Sequence, residues 1–180
     1  MQFSINLSVT AVLALAAGLV SAAPSPHDTH FVVSHHAIQA SGYNLTYWSE
    51  APGSVAVRAP APVPRSCAAT DIVTCSSTHA ASNAVCSELL ATIRANPNVV
   101  IGSSPRAVCL GTASATECCT SWSQDVGAML QGQLLDAATK VFNVCFAPSN
   151  TNESGLARQV ALNGGCLTQC LSNRPTGCTD

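Results

Sequence analysis

The chain has 180 residues, a formal net charge of −2 and only 9% charged residues. A single lysine, Lys140, and six scattered arginines make no basic face, which excludes nucleic acid and anionic membranes as main partners. The length fits one ordinary domain with some tail.

Residues Leu7 to Val20 form an apolar run broken only by Ser8, Thr10 and Gly18, followed by the small residues Ser21, Ala22 and Ala23. A membrane span needs ~20 predominantly apolar residues, and this run is shorter. It reads as the apolar region and cleavage zone of a signal peptide over residues 1–22, with the cut after Ala22. The early segment departs from the usual pattern in lacking a positive side chain. No second run of spanning length follows, and Arg174 to Asp180 is too polar for a tail exchanged for a lipid anchor. The expectation is a secreted, extracellular protein with no membrane span.

Residues 23–66 carry six of the ten prolines, four of the five histidines, both tyrosines and no cysteine, and end near the stiff run Ala59 to Pro64. They read as an arm or a propeptide, with Arg58 or Arg65 as processing points. His27, His30, His35 and His36 offer copper or zinc ligands. No cysteine or clustered carboxylate completes a site, so a polar extended arm is the favoured reading.

All ten cysteines fall in residues 67–180, which define the cysteine-rich domain: Cys67, Cys75, Cys86, Cys109, Cys118, Cys119, Cys145, Cys166, Cys170 and Cys178. An even count in an exported chain reads as disulfides, with a connectivity that spacing alone does not reveal. Cys118 and Cys119 are too close to bridge without strain, so each needs its own partner. On an extended segment those partners lie on opposite faces. Cys166 and Cys170, four apart, form half of a metal-ligand pattern without a second half. They too are expected to bond to outside partners, and no metal or cofactor is expected.

Within this domain, Val85, Cys86, Leu89, Leu90 and Ile93 predict an amphipathic helix over 82–95, capped by Ser82 or Asn83 and stopped at Asn96-Pro97. Short strands are predicted at 99–101, 106–110 and 117–121. Val126, Leu130, Leu134, Ala137, Val141 and Cys145 predict a long helix over 124–145, with Ser123 as cap. Residues 147–155 read as a polar loop, and 156–162 as a last strand with Gly164-Gly165 as its turn. Residues 166–172 are ambiguous between a helical turn and a strand. The sum is an α+β, small disulfide-rich sandwich, with two helices packed on a short, mostly antiparallel sheet.

Thr78-His79-Ala80 with Ser82 to Cys86, Ser104 to Cys109, Cys118-Cys119-Thr120-Ser121-Trp122-Ser123, and Cys166 to Pro175 closing at Cys178 together resemble the fungal secreted proteins called WD-like. The resemblance covers about 67 to 178 and implies no propeller. The family carries no assigned activity, so the resemblance brings no catalytic residues. More loosely, the order of elements is similar to the α/β-sandwich of fungal killer toxins and necrosis-inducing effectors.

Catalysis requires converging groups. The cysteine-rich domain has one histidine, His79, with Asp71, Ser76 and Ser77 near it in sequence and Glu88, Asp125 and Asp136 elsewhere. A serine triad is recognised by geometry and not by such a list. His79 reads better as a loop hydrogen-bonding group, Trp122 as core, and Arg106 and Arg174 as surface or carbonyl-bonding groups. Asn44-Leu45-Thr46 and Asn152-Glu153-Ser154 are glycosylation acceptors at Asn44 and Asn152. The functional expectation is a non-enzymatic interaction or effector-like protein, meeting an extracellular protein or a cell-wall polysaccharide. A killer-toxin-like antimicrobial ranks lower because the chain is not basic, and a small hydrolase using His79 ranks lower still.

Overall fold

The computed structural model describes residues 31–38, 42–50, 67, 72–103, 105–112, 116–146 and 152–179. Residues 1–22, read above as a signal peptide, and His27, His30, Arg58, Arg65 and Asp71 lie outside them. The elements in chain order are β1 (Phe31–Ile38), β2 (Asn44–Glu50), β3 (Ile72–Ala81), α1 (Asn83–Ala95), β4 (Val100–Ile101), β5 (Pro105–Gly111), β6 (Glu117–Trp122), β7 (Met129–Leu130), a helical run Gln131–Phe146 with α2 (Leu135–Val141) at its centre, β8 (Glu153–Leu162) and β9 (Gly165–Ser172).

Seven strands form one sheet in the order β1-β2-β5-β6-β9-β8-β3, every neighbouring pair antiparallel. The α+β, disulfide-rich class holds, but the sheet is not short. Three of its strands, β1, β2 and β3, are not among the predicted elements. Two of these fall inside the stretch read as an arm. β2 pairs with β5 from Asn44↔Gly111 to Ser49↔Pro105, and Leu45 and Tyr47 enter the core at 4% and 8% exposure. The alternation Leu45-Thr46-Tyr47-Trp48 sends two apolar side chains to the helices and Trp48 to the opposite face.

One face of the sheet is covered by helices. α1 lies against β5 and β6, and α2 against β8 and β9. Between them Leu89, Ile93, Leu110, Trp122, Phe146 and Leu171 are essentially fully buried. β5 is buried on both sides, with Val108 and Leu110 toward the helices and Ala107 and Cys109 away from them. A strand sealed on both faces reads as a continuous apolar run, as Ala107 to Leu110 does.

The helix predicted over 124–145 begins only at Gln131. Residues 123–128 are held in another conformation. Ser123 exchanges hydrogen bonds with β9, donating its N–H to the Thr168 carbonyl and accepting the Thr168 N–H on Oγ. The Asp125 carboxylate accepts the Gly127 N–H at 2.9 Å, and Gly127 sits at φ 73°. Asn163 Nδ2 donates to the carbonyls of Val126 and Ala128. Leu130 is consequently 43% exposed while Met129 is buried. In the predicted strand at 99–101, only Val100 and Ile101 pair, with Leu130 and Met129. Ile101 is buried, whereas Val100 is 67% exposed.

The last strand is β9, which resolves residues 166–172 as extended. Its turn from β8 is Asn163-Gly164, one residue earlier than predicted, with φ 45° and 81°. A two-residue hairpin turn of this kind needs positive φ at both positions, which Asn-Gly accepts. Of the predicted loop 147–155, residues 153–155 are strand, and 147–151 lie outside the described residues.

All ten cysteines are paired: Cys67–Cys166, Cys75–Cys145, Cys86–Cys118, Cys109–Cys119 and Cys170–Cys178. The adjacent pair splits across the sheet. Cys118 reaches α1 on the helix face, and Cys119 reaches its cross-strand neighbour Cys109 on the other. No helix among the described residues is long and apolar enough to cross a membrane.

Candidate functional site

The uncovered face of the sheet carries a cleft of about 190 Å³ between β3, β8, β9 and the C-terminal segment. Its floor comes from alternate positions: Thr74 and Ser76 on β3, Ser154 and Leu156 on β8, Cys170 and Ser172 on β9. Successive strand residues point to opposite faces, so this even-numbered set shares one side. Its walls are Thr78 and His79 on one side and Arg174, Thr176, Gly177 and Cys178 on the other.

The His79 wall is a bulge. Pairing of β3 with β8 passes from Ser76↔Ser154 directly to Ala81↔Glu153, so the intervening residues of β3 have no counterpart. The arched backbone places His79 at φ 59°, a left-handed conformation uncommon outside glycine. Hydrogen bonds fix it there. Ser154 Oγ lies 3.0 Å from the Ser76 carbonyl and 2.7 Å from the Thr78 carbonyl, and shares its proton between them. Ser76 Oγ accepts the Thr78 N–H, and the His79 carbonyl accepts the Asn173 N–H at 3.0 Å.

The opposite wall is pinned by Cys170–Cys178, which folds the chain after β9 back over the sheet. Ser172 Oγ donates to the Arg174 carbonyl. The Arg174 guanidinium rests on Gly177, where an added Cβ would come within 2.6 Å of its Nη2. Gly177 has φ 80°, so the position needs glycine for conformation as well as space. Among the described residues none hydrogen-bonds or ion-pairs with that guanidinium. Arg106 is different, since it donates to the carbonyls of Trp122 and Ser123 and holds the end of β6.

The cleft brings His79 and Ser76 together, but none of the described carboxylates proposed for them: Glu88 is on α1, Asp136 is in the first turn of α2, Asp125 is in the loop before β7, and Asp71 lies outside the described residues. Trp122 is 2% exposed and serves the core. Ser154, Arg174 and Thr176 were not singled out from sequence as cleft residues. The available signal was the hydroxyl at every second position in Thr74-Cys75-Ser76-Ser77-Thr78.

The remaining site residues fall elsewhere. Asn152 is exposed, and its Oδ1 accepts the Asn83 N–H at the start of α1. Asn44 is half-buried at the start of β2. Ligand atoms of Cys109, Glu117 and Cys119 lie within 4.8 Å of one another, but the two sulfurs are bonded together and are not thiolate ligands. Burial pushes the Glu117 carboxyl above its ordinary pKa.

The family model for fungal WD-like proteins matches residues 37–178. The chain belongs to the fungal WD-like family, and the match takes in β2 as well as the cysteine-rich domain. Searches of curated proteins and of solved structures find no match.

Proposed function

We propose that this is an exported, non-enzymatic binding protein that meets an extracellular partner through the cleft between His79 and Arg174. The observation that carries the reading is the cleft itself. It is lined by Ser and Thr residues, its walls are held by a disulfide and by hydrogen bonds, and it holds an arginine with no partner among the described residues. A catalytic serine needs a base poised to take its proton, whereas Ser76 and His79 share no hydrogen bond in the cleft and the Ser154 hydroxyl is committed to two backbone carbonyls. Five disulfides suit a small protein working in an oxidising medium. Residues 1–22 act as its signal peptide, and Asn152 is its exposed glycan acceptor.

The reading is tested on the oxidised protein purified from culture medium. Arrays of extracellular glycans and proteins are screened beside panels of ester, peptide and glycoside substrates. Saturable binding without turnover is expected. Turnover lost in both His79→Ala and Ser76→Ala variants would replace the binding reading with a hydrolase.

A further inference from the structure

We propose, on the footing of a binding cleft, that the cleft takes one uronic acid unit of an acidic polysaccharide. Arg174 receives the carboxylate, and the surrounding hydroxyls receive the sugar hydroxyls.

Three observations converge. The first is charge. A guanidinium forks two parallel N–H bonds onto a carboxylate, and such charge-assisted bonds are about twice as strong as neutral ones. Arg174 is half-buried at the cleft wall, backed by Gly177 and without an acidic partner among the described residues.

The second is the floor. Thr74, Ser76, Thr78 and Thr176 line the cleft, and each carries a hydroxyl, a group that can both donate and accept. A polyhydroxylated ring needs that dual capacity. An extended peptide would instead require a row of backbone groups, and this floor is made by side chains standing off the sheet.

The third is what the lining lacks. Among the described residues it contains no Trp, Tyr or Phe, so a neutral sugar finds no indole or phenol ring there to stack on, and charge must anchor the ligand. The cleft, at about 190 Å³, is also smaller than the ~300–1,000 Å³ typical of drug-sized ligands. One sugar ring therefore enters while the rest of the chain stays outside.

The test uses the intact, disulfide-bonded protein and three probes: trigalacturonic acid, its methyl ester, and a tripeptide with a free carboxylate. Amide and arginine side-chain NMR shifts locate binding, and calorimetry measures it. The free acid is expected to shift Ser76, Thr78, His79, Arg174 and Thr176. The methyl ester is expected to bind about tenfold or more weakly, in line with the loss of charge-assisted bonds. Arg174→Gln should reproduce that loss at an unchanged melting temperature, with partial recovery in Arg174→Lys.

Equal binding of acid and ester overturns the uronate assignment while leaving a binding cleft in place. So does binding of the tripeptide alone, or no shift in the cleft with any probe. The comparison of acid with ester uses the unmutated protein, so the outcome does not depend on the variants folding. Cleavage of any probe would instead remove the binding reading itself.

Discussion

Two single residues have effects that can be worked out from their surroundings. Glu117 sits beside the Cys109–Cys119 disulfide, and burial raises its pKa. The folded protein therefore keeps this proton to higher pH than the unfolded chain does. Where the folded state binds more protons, stability falls as pH rises. The contribution of the neutral acid is complete below the ordinary glutamate value, about 4.3, and is lost as pH climbs through the raised folded value. Glu117→Gln is expected to melt higher than the parent above that window and to match it near pH ~3, well below the ordinary value. A melting curve series against pH checks this, and an unchanged pH slope in the variant would contradict it. Tyr47 makes the second case. Its hydroxyl donates to Gln131 Oε1 at 2.6 Å, and Gln131 is 0% exposed. Tyr47→Phe takes that donor from a buried acceptor, at an expected cost of about 1–3 kcal/mol, measurable by urea unfolding.

At the level of elements, the contact between Gly132 and Pro97 fixes the first turn of the second helix against the loop after α1. A Cβ on Gly132 would stand 2.9 Å from Pro97 Cβ and 3.0 Å from its carbonyl oxygen, while the Gly132 N–H donates to that same carbonyl. The loop after α1 thus packs directly on the first helical turn. Gly132→Ala is expected to destabilise by about 1–3 kcal/mol through overpacking, despite alanine's better helix propensity. A more stable variant would mean that the contact gives way cheaply. The same contact bears on what the sequence disclosed. α1, β5, β6 and β8 were legible because each carries a clean period or an apolar run bounded by a cap, proline or glycine. The stripe from Val126 to Cys145 was also periodic, but long-range bonds from Asn163 and Thr168 took its first turns, and no local pattern announces those. β3 stayed hidden because its residues are mostly exposed and those at its centre, Ser76 to His79, are all polar, which leaves little hydrophobic alternation to read. Half of the cleft therefore stayed hidden with it, and Arg174 gained meaning only when Cys170–Cys178 placed it opposite His79.

For the molecule as a whole, the decisive question is what β2 contributes, since no cysteine lies before Cys67 and every disulfide closes within the later residues. The covalent framework alone invites the view that residues 23–66 are dispensable. Packing argues otherwise. β2 covers one edge of β5 along its length and inserts Leu45 and Tyr47 into the main core. Each large apolar side chain contributes ~1.5–3 kcal/mol on burial, and the Tyr47–Gln131 bond adds to this. Removing the strand also uncovers the backbone of β5, whose central residues Ala107 to Leu110 are apolar and uncharged. An exposed apolar edge of this kind pairs with other chains. A chain beginning at Cys67 is therefore expected to melt without cooperativity or to self-associate, even with all five bridges formed, whereas a chain beginning at Ala23 folds as a monomer. Sedimentation and thermal unfolding of the two oxidised chains decide between the views. If residues 44–50 are integral, the intact mass of the protein recovered from culture medium should place its start before Asn44. A cooperative, monomeric chain from Cys67, with the same amide spectrum in α1 and β6, would instead make the arm a true propeptide and reduce β2 to a removable cover.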